Sequence, residues 1–200
     1  MNLSRINIDD RKLVQQCLKG DPCALERLVL KYEHRLHNVI QRICRNPDDA
    51  AELTQETFVK IIENLERFEG KSSFYTWAFR IAVNLSLNHC RKASKVSLRS
   101  LEADALDHSR EAVESLRHFL ENDKAPDPSD IAQNREVCDL IQSHMMRLEE
   151  DHRTILVLRD IEGMSYAQIA KVLEIELGTV RSRLSRARQK FREILETVLT

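Results

Sequence analysis

The densest group of chemically active side chains lies between Leu177 and Arg192, where six basic residues occur and no acidic one. They are Arg181, Arg183, Arg186, Arg188, Lys190 and Arg192. Arginine and lysine bind the phosphate oxygens of nucleic acids, yet the whole chain has a formal net charge of only -1. A nucleic-acid site is therefore expected here, and it must be local rather than spread over the protein.

The elements that position this basic run are predicted to be two short helices joined by a tight turn. Ser165 and Gln168 have the spacing of a capping box, which predicts a helix that begins near Tyr166. After a break around residues 174–176, apolar residues recur at spacings of four, three and four. These residues are Val180, Leu184, Ala187 and Phe191. The pattern is typical of a helix-turn-helix whose second helix buries one stripe.

The outward face of that second helix is predicted to carry Ser182, Ser185 and Gln189, with basic residues along both sides. Small polar side chains let a helix backbone approach the major groove while the basic residues reach phosphates on either strand. The alternative is a solvated basic face without a ligand. We favour DNA binding, although a helix-turn-helix alone does not define a function.

Composition points to an all-α protein without chemistry of its own. Glycine and proline number four each in 200 residues, and the five cysteines form no CxxC pair, so reduced thiols are expected. The sequence has no Ser/His/Asp set, glycine-rich phosphate loop or metal cluster. We therefore expect that the chain is not an enzyme and binds no cofactor. Neither a signal peptide nor an apolar run long enough to span a bilayer is present. We therefore expect a soluble cytoplasmic protein without membrane insertion.

Four helices are expected in the first half, at residues 11–19, 22–45, 47–67 and 74–91. The third has a predicted buried side of Ala50, Thr54, Phe58, Ile61, Ile62 and Leu65. Leu53 instead falls on the polar face, near Glu56 and Lys60. An exposed leucine is ordinary, but one ringed by charges could also anchor a protein partner, and the residues alone leave both interpretations open.

The loop before the fourth helix places aromatic residues beside a cation, at Phe68, Lys71, Phe74 and Tyr75. Stacking on aromatic rings and charge near the backbone hold single-stranded bases. Packing of the fourth helix between its neighbours explains most of the same residues without any ligand. Spacing alone makes this a weak indication of nucleic-acid binding.

A change of composition divides the chain in two. Residues 94–134 are acidic and contain Ala125-Pro126-Asp127-Pro128, which interrupts any helix. We expect a linker there, with a short helix around residues 111–120, followed by helices from Ser129 or Asp130 to Leu148 and over 151–162. The predicted fold is two small helical domains at 10–93 and 135–198, joined by a flexible linker at 94–134, with the helix-turn-helix in the second domain.

Two blocks of sequence together resemble the extracytoplasmic-function (ECF) sigma factors of bacterial RNA polymerase, sigma-70 relatives with regions 2 and 4 only. Positions 46 to 92 read NPDDAAELTQETFVKIIENLERFEGKSSFYTWAFRIAVNLSLNHCRK. Positions 148 to 195 read LEEDHRTILVLRDIEGMSYAQIAKVLEIELGTVRSRLSRARQKFREIL. The resemblance implies a promoter-specificity subunit that binds core RNA polymerase and promoter DNA, with an anti-sigma factor as a further partner.

The resemblance also implies roles for individual residues. Core-polymerase binding falls on the pattern D-x-x-x-L-x-Q-E-x-F, which is Asp49, Leu53, Gln55, Glu56 and Phe58. Recognition and melting of the promoter −10 element fall on Lys71, Ser72, Ser73, Phe74, Tyr75, Arg80 and Asn84, with Trp77 as a core residue. Contacts to the −35 element fall on Thr179, Arg181, Ser182, Arg183, Ser185 and Arg186.

Two departures from the family pattern are notable. Glu174 stands in the turn where many relatives have glycine. Because another residue can supply the left-handed position at a cost of about 1 kcal/mol, we expect the motif to survive with a slightly different turn. Val83 stands at a position that is often basic or polar. The alternative function is a stand-alone helix-turn-helix regulator, which would leave Leu53 and the aromatic loop unexplained.

Overall fold

The computed structural model describes residues 9–96 and 135–199, and all regular structure within these ranges is helical. The helices are α1 (Asp10–Leu18), α2 (Pro22–Cys44), α3 (Pro47–Glu63), α4 (Phe74–Val96), α5 (Arg135–Met145), α6 (Glu150–Leu156), α7 (Tyr166–Leu173) and α8 (Leu177–Leu199). The predicted helix at 111–120, the linker around it and the predicted start near Ser129 lie outside the described residues. We call α1–α4 the first module and α5–α8 the second module.

Side-chain caps set the starts of the first four helices where the sequence predicts them. Asp9 accepts a hydrogen bond from the Arg11 amide at 3.1 Å, and Asp21 accepts one from Cys23 at 2.9 Å. Asn46 accepts one from Asp48 at 2.8 Å, and Ser73 accepts one from Thr76 at 3.1 Å. Pro22 and Pro47 occupy the first helical turn, where a missing amide proton is not needed.

Helix ends differ more from the prediction than helix starts do. α3 ends at Glu63 and is followed by a short 3-10 turn, Leu65–Arg67. α4 continues past the predicted end at Arg91 to Val96. α6 changes into a π-helical turn, Val157–Ile161, before Gly163 ends it with a φ of 68°.

The two modules share one continuous hydrophobic core. α2 packs against α1, α3 and α4 in the first module, and α8 packs against α6 and α7 in the second. α4 also packs against α7, and α2 against α6 and the π-helical turn. The resulting cluster of buried side chains includes Ile40 and Phe79 from the first module and Leu158 and Val180 from the second.

The buried face of α3 is rotated relative to the predicted one. Leu53 is only 5% exposed, so the prediction that it lies on the polar face is wrong. Ile62, predicted as buried, is 45% exposed, and its neighbour Val59 is 51% exposed. Because α3 packs against both α2 and α4, its buried arc widens toward Leu53 and Thr57 and leaves Ile62 outside.

Candidate nucleic-acid interface

The helix-turn-helix is built as the local sequence signals predict. Ser165 and Gln168 form the reciprocal capping box, with the Ser165 amide donating to Gln168 Oε1 at 2.8 Å and the Gln168 amide donating to Ser165 Oγ at 3.3 Å. Glu174 follows α7 in the left-handed conformation, with φ 54° and ψ 43°. The expectation that a residue other than glycine supplies this turn is confirmed.

The two faces of α8 are also confirmed. Val180 and Ala187 are completely buried and Leu184 nearly so, while Phe191 packs at the edge of the core. Ser182, Ser185 and Gln189 are all exposed on the opposite face. One helix thus presents small polar side chains to the outside over a fixed apolar stripe, which is the shape that a major groove admits.

The basic residues of α8 are not equivalent. Arg183 Nη1 donates to Asp151 at 3.2 Å, and Arg188 donates to both carboxylate oxygens of Asp160 at 2.5 and 3.3 Å. Arg181 and Arg186 are exposed, and Arg186 Nε donates to the Ser182 carbonyl at 3.3 Å. Thr179 is half-buried. Within the described residues neither Arg181 nor Arg186 forms an ion pair, so both are able to reach a ligand beside the exposed serines.

An aromatic cluster organises the loop before α4. The rings of Phe68 and Phe74 meet edge-on with centroids 5.7 Å apart, and both rings contact Trp77. Phe74 is only 3% exposed, so its assignment as a DNA contact is corrected to a core residue. Trp77, expected in the core, is half-buried against it. Lys71, Ser73 and Asn84 are exposed, Ser72 is half-buried, and Lys71 pairs with Glu69.

Tyr75 is held by a residue from another helix that the sequence analysis did not select. The guanidinium of Arg35 lies 4.6 Å from the centroid of the Tyr75 ring, and its Nη2 donates to the Tyr75 hydroxyl at 3.0 Å. Burial, chiefly, raises the pKa of Tyr75 to about 12, with Arg35 opposing the shift and Glu162 adding to it. Tyr75 thus lies under a cation and remains protonated at neutral pH.

The residues of the D-x-x-x-L-x-Q-E-x-F pattern divide between surface and core. Gln55 and Glu56 are exposed, and Phe58 is half-buried. Asp49 Oδ2 forms a hydrogen bond with His89 Nε2 at 3.0 Å. Leu53 is in the core, as described above. Val59 and Ile62 instead form, with Phe58, an exposed apolar strip beside Gln55. A helical wheel centred on Ala50, Thr57 and Ile61 would have located this strip.

Val83 of α4, which stands at a position that is often basic or polar in the family, is completely buried, so it is not a surface position.

Other kinds of site find no support in the described part of the chain. Within residues 9–96 and 135–199, no group of three His, Cys, Asp or Glu side chains could hold a metal ion. The four cysteines whose side chains are described there are free. Across those same residues, none of the helices is both long and apolar enough to cross a membrane.

Comparison with known proteins now decides the family. Residues 28–96 match Sigma-70 region 2, and residues 138–191 match Sigma-70, region 4. The RNA polymerase sigma-H factor of Pseudomonas aeruginosa is 35% identical over 190 residues, which are 95% of each chain. The ECF RNA polymerase sigma-E factor of Haemophilus influenzae is 31% identical over 193 residues, or 96% of this chain and 98% of that one. The chain belongs to the sigma-70 family.

This sigma factor is an ECF member of the family, and it directs RNA polymerase to promoters. The stand-alone regulator is not favoured, because both regions match in order and the likeness covers nearly the whole chain. Sigma factors are generally not enzymes.

Two solved structures share the fold of both modules. CnrH, solved in complex with the cytosolic domain of CnrY, matches with a TM-score of 0.65 and 24% identity over 94% of this chain and 97% of its own. RpoE, solved with the anti-sigma factor NepR from Bartonella quintana, matches with a TM-score of 0.61 and 22% identity over 86% and 96%. The all-α fold of two helical domains is therefore confirmed.

Proposed function

We propose that this sigma factor uses three separate surfaces: one for the promoter −35 element, one for the −10 element and one for core RNA polymerase. The −35 surface consists of Thr179, Arg181, Ser182, Arg183, Ser185 and Arg186 on α8. The −10 surface consists of Arg35, Lys71, Ser72, Ser73, Tyr75, Arg80 and Asn84. The docking surface for core polymerase consists of Gln55, Glu56, Phe58, Val59 and Ile62 on α3. In this proposal the chain acts in the cytoplasm, where the polymerase is.

The observation that carries the proposal is the exposed face of α8. Ser182 and Ser185 stand clear of the core, and Arg181 and Arg186 lie beside them. A helix with this face can enter a major groove, where the arginines reach base edges or phosphates. Arg183 would exchange Asp151 for DNA, because the ion pair at 3.2 Å is exposed and of low strength.

The −10 surface supplies donors and one aromatic face to unpaired DNA. Lys71 and Arg80 are cations for the backbone phosphates, and the Tyr75 ring, which Arg35 covers at 4.6 Å, becomes available for stacking when Arg35 moves aside. Unstacking a base takes a few kcal/mol, and stacking and hydrogen bonds at the protein return a similar amount. Strand opening at this surface therefore needs no reaction catalysed by the sigma factor itself.

The proposed docking surface consists of residues that are accessible on α3, and it does not include the buried Leu53. Phe58, Val59 and Ile62 form an apolar strip, and Gln55 and Glu56 provide polar groups beside it. Apolar anchors with a polar rim are typical of protein interfaces. CnrH and RpoE are each solved with a protein partner, and we include an anti-sigma factor among the partners of this chain.

Transcription of a promoter library with purified chain and core polymerase tests the whole proposal. We expect new start sites that depend on the chain, each preceded by one shared −10 and one shared −35 sequence. If the chain bound duplex DNA tightly without polymerase and produced no start sites, the result would contradict the proposal. It would instead favour a stand-alone helix-turn-helix regulator.

The docking surface has its own test in Val59→Asp. Because Val59 is 51% exposed, the change should leave the fold intact and weaken polymerase binding by about tenfold or more, in the range of an interface anchor. Leu30→Asp is the matched control, since Leu30 is 57% exposed on α2. Equal binding losses in the two variants, measured by fluorescence anisotropy with core polymerase, would show that the α3 strip is not the docking surface.

A further inference from the structure

Two buried cysteines face each other between α2 and α4, which pack together in the first module. Cys44 is the last residue of α2, Cys90 lies toward the end of α4, and each is 8% exposed. The Cys44 sulfur lies 4.0 Å from the Ser86 carbonyl oxygen of α4, and the Cys90 sulfur lies 3.6 Å from the Ile43 carbonyl oxygen of α2. Each sulfur thus reaches the backbone of the opposite helix, and the two thiols are hydrogen-bonded to each other.

A buried arginine lies beside this thiol pair. Arg153 of α6 is 1% exposed, and its Nη2 donates at 2.7 Å to the Ile43 carbonyl, the same oxygen that the Cys90 sulfur contacts. The Nε of Arg153 has no acceptor within the described part of the chain. A buried cation with an unsatisfied donor favours a negative charge close to it. A thiolate at Cys90 would supply that charge.

The two thiols differ in how readily they lose a proton. The hydrogen bond from Cys44 lowers the pKa of Cys90 below its ordinary value, and Arg153 and His89 act in the same direction against burial and Glu150. The hydrogen bond to Cys90, followed by burial, raises the pKa of Cys44. Because the thiolate is the form that attacks an oxidant, Cys90 is the nucleophile of the pair. Cys44 keeps its proton and is placed to react second.

The end of α2 permits the movement that a bond between the two sulfurs requires. A disulfide holds its sulfurs about 2.05 Å apart, which is closer than two hydrogen-bonded thiols. Cys44 ends α2, and the next residue, Arg45, has a φ of 70° and leaves the helix. The Cys44 side can therefore move toward Cys90 without breaking hydrogen bonds in the middle of either helix.

We propose that Cys44 and Cys90 form an oxidative modification site, at which hydrogen peroxide converts the two thiols into a disulfide that ties the end of α2 to α4. Burial admits a small oxidant and excludes bulky thiols, so the partner of each sulfur is the other member of the pair. The inference goes beyond the proposed function and does not depend on it, because neither cysteine belongs to the −35, −10 or docking surface.

The reaction has two steps. The Cys90 thiolate sulfur attacks one oxygen of hydrogen peroxide, the O–O bond breaks, and the departing hydroxide takes up the proton that Cys90 released to form water. The Cys44 sulfur then attacks the sulfur of the resulting sulfenic acid, the S–O bond breaks, and the hydroxide leaves with the Cys44 proton as a second water. Two electrons pass from the sulfurs to the peroxide, and a dithiol reductant reverses the change.

The test treats the reduced, unaltered chain with a small molar excess of hydrogen peroxide. Remaining thiols are then blocked with N-ethylmaleimide under denaturing conditions, and a protease digest is mapped by mass spectrometry. We expect two peptides joined through Cys44 and Cys90, absent before oxidation and absent again after dithiothreitol. Because this measurement uses the unaltered chain, it does not depend on any variant being folded.

A chain that keeps only the pair gives a second measurement. The substitutions Cys17→Ser, Cys23→Ser and Cys138→Ser remove the other three cysteines of the sequence. After peroxide this protein should be about 2 mass units lighter and should accept no N-ethylmaleimide. Its thermal midpoint should rise by about 5–15 °C, because the new bond closes a long loop of the unfolded chain.

Two single-thiol variants of that protein separate the roles of the cysteines. With Cys44→Ser, the sulfenic acid formed at Cys90 has no partner and should be trapped by dimedone. With Cys90→Ser, the remaining Cys44 thiol should be labelled at least about tenfold less, since its pKa is raised. In both variants the thermal midpoint should not change with peroxide. Circular dichroism before oxidation checks that both are folded.

Several results would overturn the proposal. Both thiols might be recovered as N-ethylmaleimide adducts after peroxide, or each sulfur might be oxidised separately to a sulfinic acid; either result shows that the pair does not close. A link from Cys44 or Cys90 to any other cysteine has the same meaning. An unchanged or lower thermal midpoint of the linked protein would refute the tie between the helices, and equal dimedone labelling would refute Cys90 as the nucleophile.

Discussion

The predicted DNA-binding surfaces of the two modules differ in how exposed their residues are. On α8 the outward serines and Arg186 are exposed, and the contacts of Arg183 lie within the second module. In the first module Phe74 is buried, Tyr75 is half-buried under Arg35, and Arg80 is paired with a residue of the other module. In this arrangement the proposed −35 surface is therefore accessible to solvent, and the proposed −10 surface is partly covered by other side chains.

The difference shows that exposure must be established for each face from its tertiary neighbours. α8 has one buried stripe and one free face, so a helical wheel describes it fully. α3 and α4 are covered from several directions, by other first-module helices and, for α4, by α7. For such helices the face opposite the obvious apolar stripe can be another buried face.

The largest expected effect sharpens this contrast on α3. Leu53→Asp should lower the free energy of unfolding by about 4 kcal/mol, because it buries a carboxylate without a partner. Val59→Asp on the exposed side of the same helix should change it by less than about 0.5 kcal/mol. Urea denaturation of both variants measures the difference, and equal stabilities would contradict the rotated face of α3.

An intermediate effect is expected on α8, where the basic residues differ in their partners. Arg186→Ala should weaken binding to a −35 duplex by about 1–3 kcal/mol if the side chain reads a base edge. Arg188→Ala is the control, because Asp160 already holds its guanidinium at 2.5 Å. Binding to duplexes with single base-pair changes decides the role of Arg186, since an equal loss on every sequence would indicate a phosphate contact.

The smallest effect concerns the protonation of Tyr75 and tests how covered the −10 surface is. The pKa of Tyr75 is raised by burial to about 12 from an ordinary value of 10. Between pH 10 and pH 12 the folded state therefore keeps this proton while the unfolded state loses it. The contribution of Tyr75 to the free energy of unfolding is complete below pH 10 and is lost as the pH rises toward 12. In the double variant Glu162→Gln, Glu174→Gln, which removes the carboxylates that contact Tyr75 and Arg80, the pKa should fall toward 10 as the surface opens.

Ultraviolet titration of the phenol groups, with Tyr75→Phe to identify the signal, measures this shift. A pKa of Tyr75 that remained near 12 in the double variant would show that the two modules stay packed without the two carboxylates.

Local sequence signals predicted the helices of the described residues and the exposed polar face of α8. Asp21-Pro22, Asn46-Pro47 and the capping box at Ser165 fix helix starts within a few residues, so no knowledge of the fold is needed. The stripe of α8 follows from spacing alone. Even the left-handed turn at Glu174 could be expected from the family pattern.

The features that sequence reasoning missed depend on residues far apart in the chain. Arg35 lies on α2, and nothing in its neighbourhood indicates that it will cover the ring of Tyr75. Arg153 reads as an ordinary surface arginine, but the packing of α6 on α2 buries it. The contacts of Glu162 depend on the π-helical turn before it, for which the sequence carries no clear local pattern.

The left-handed turn at Glu174 places two opposing demands on a single position. The backbone there is best suited to glycine, whereas the ion pair with Arg80 requires a carboxylate side chain. A glycine in this turn would relax the backbone, but it would give up the ion pair with Arg80 at 3.3 Å. Glu174→Gly should therefore relax the backbone of this turn and remove the contact with Arg80 in the same change.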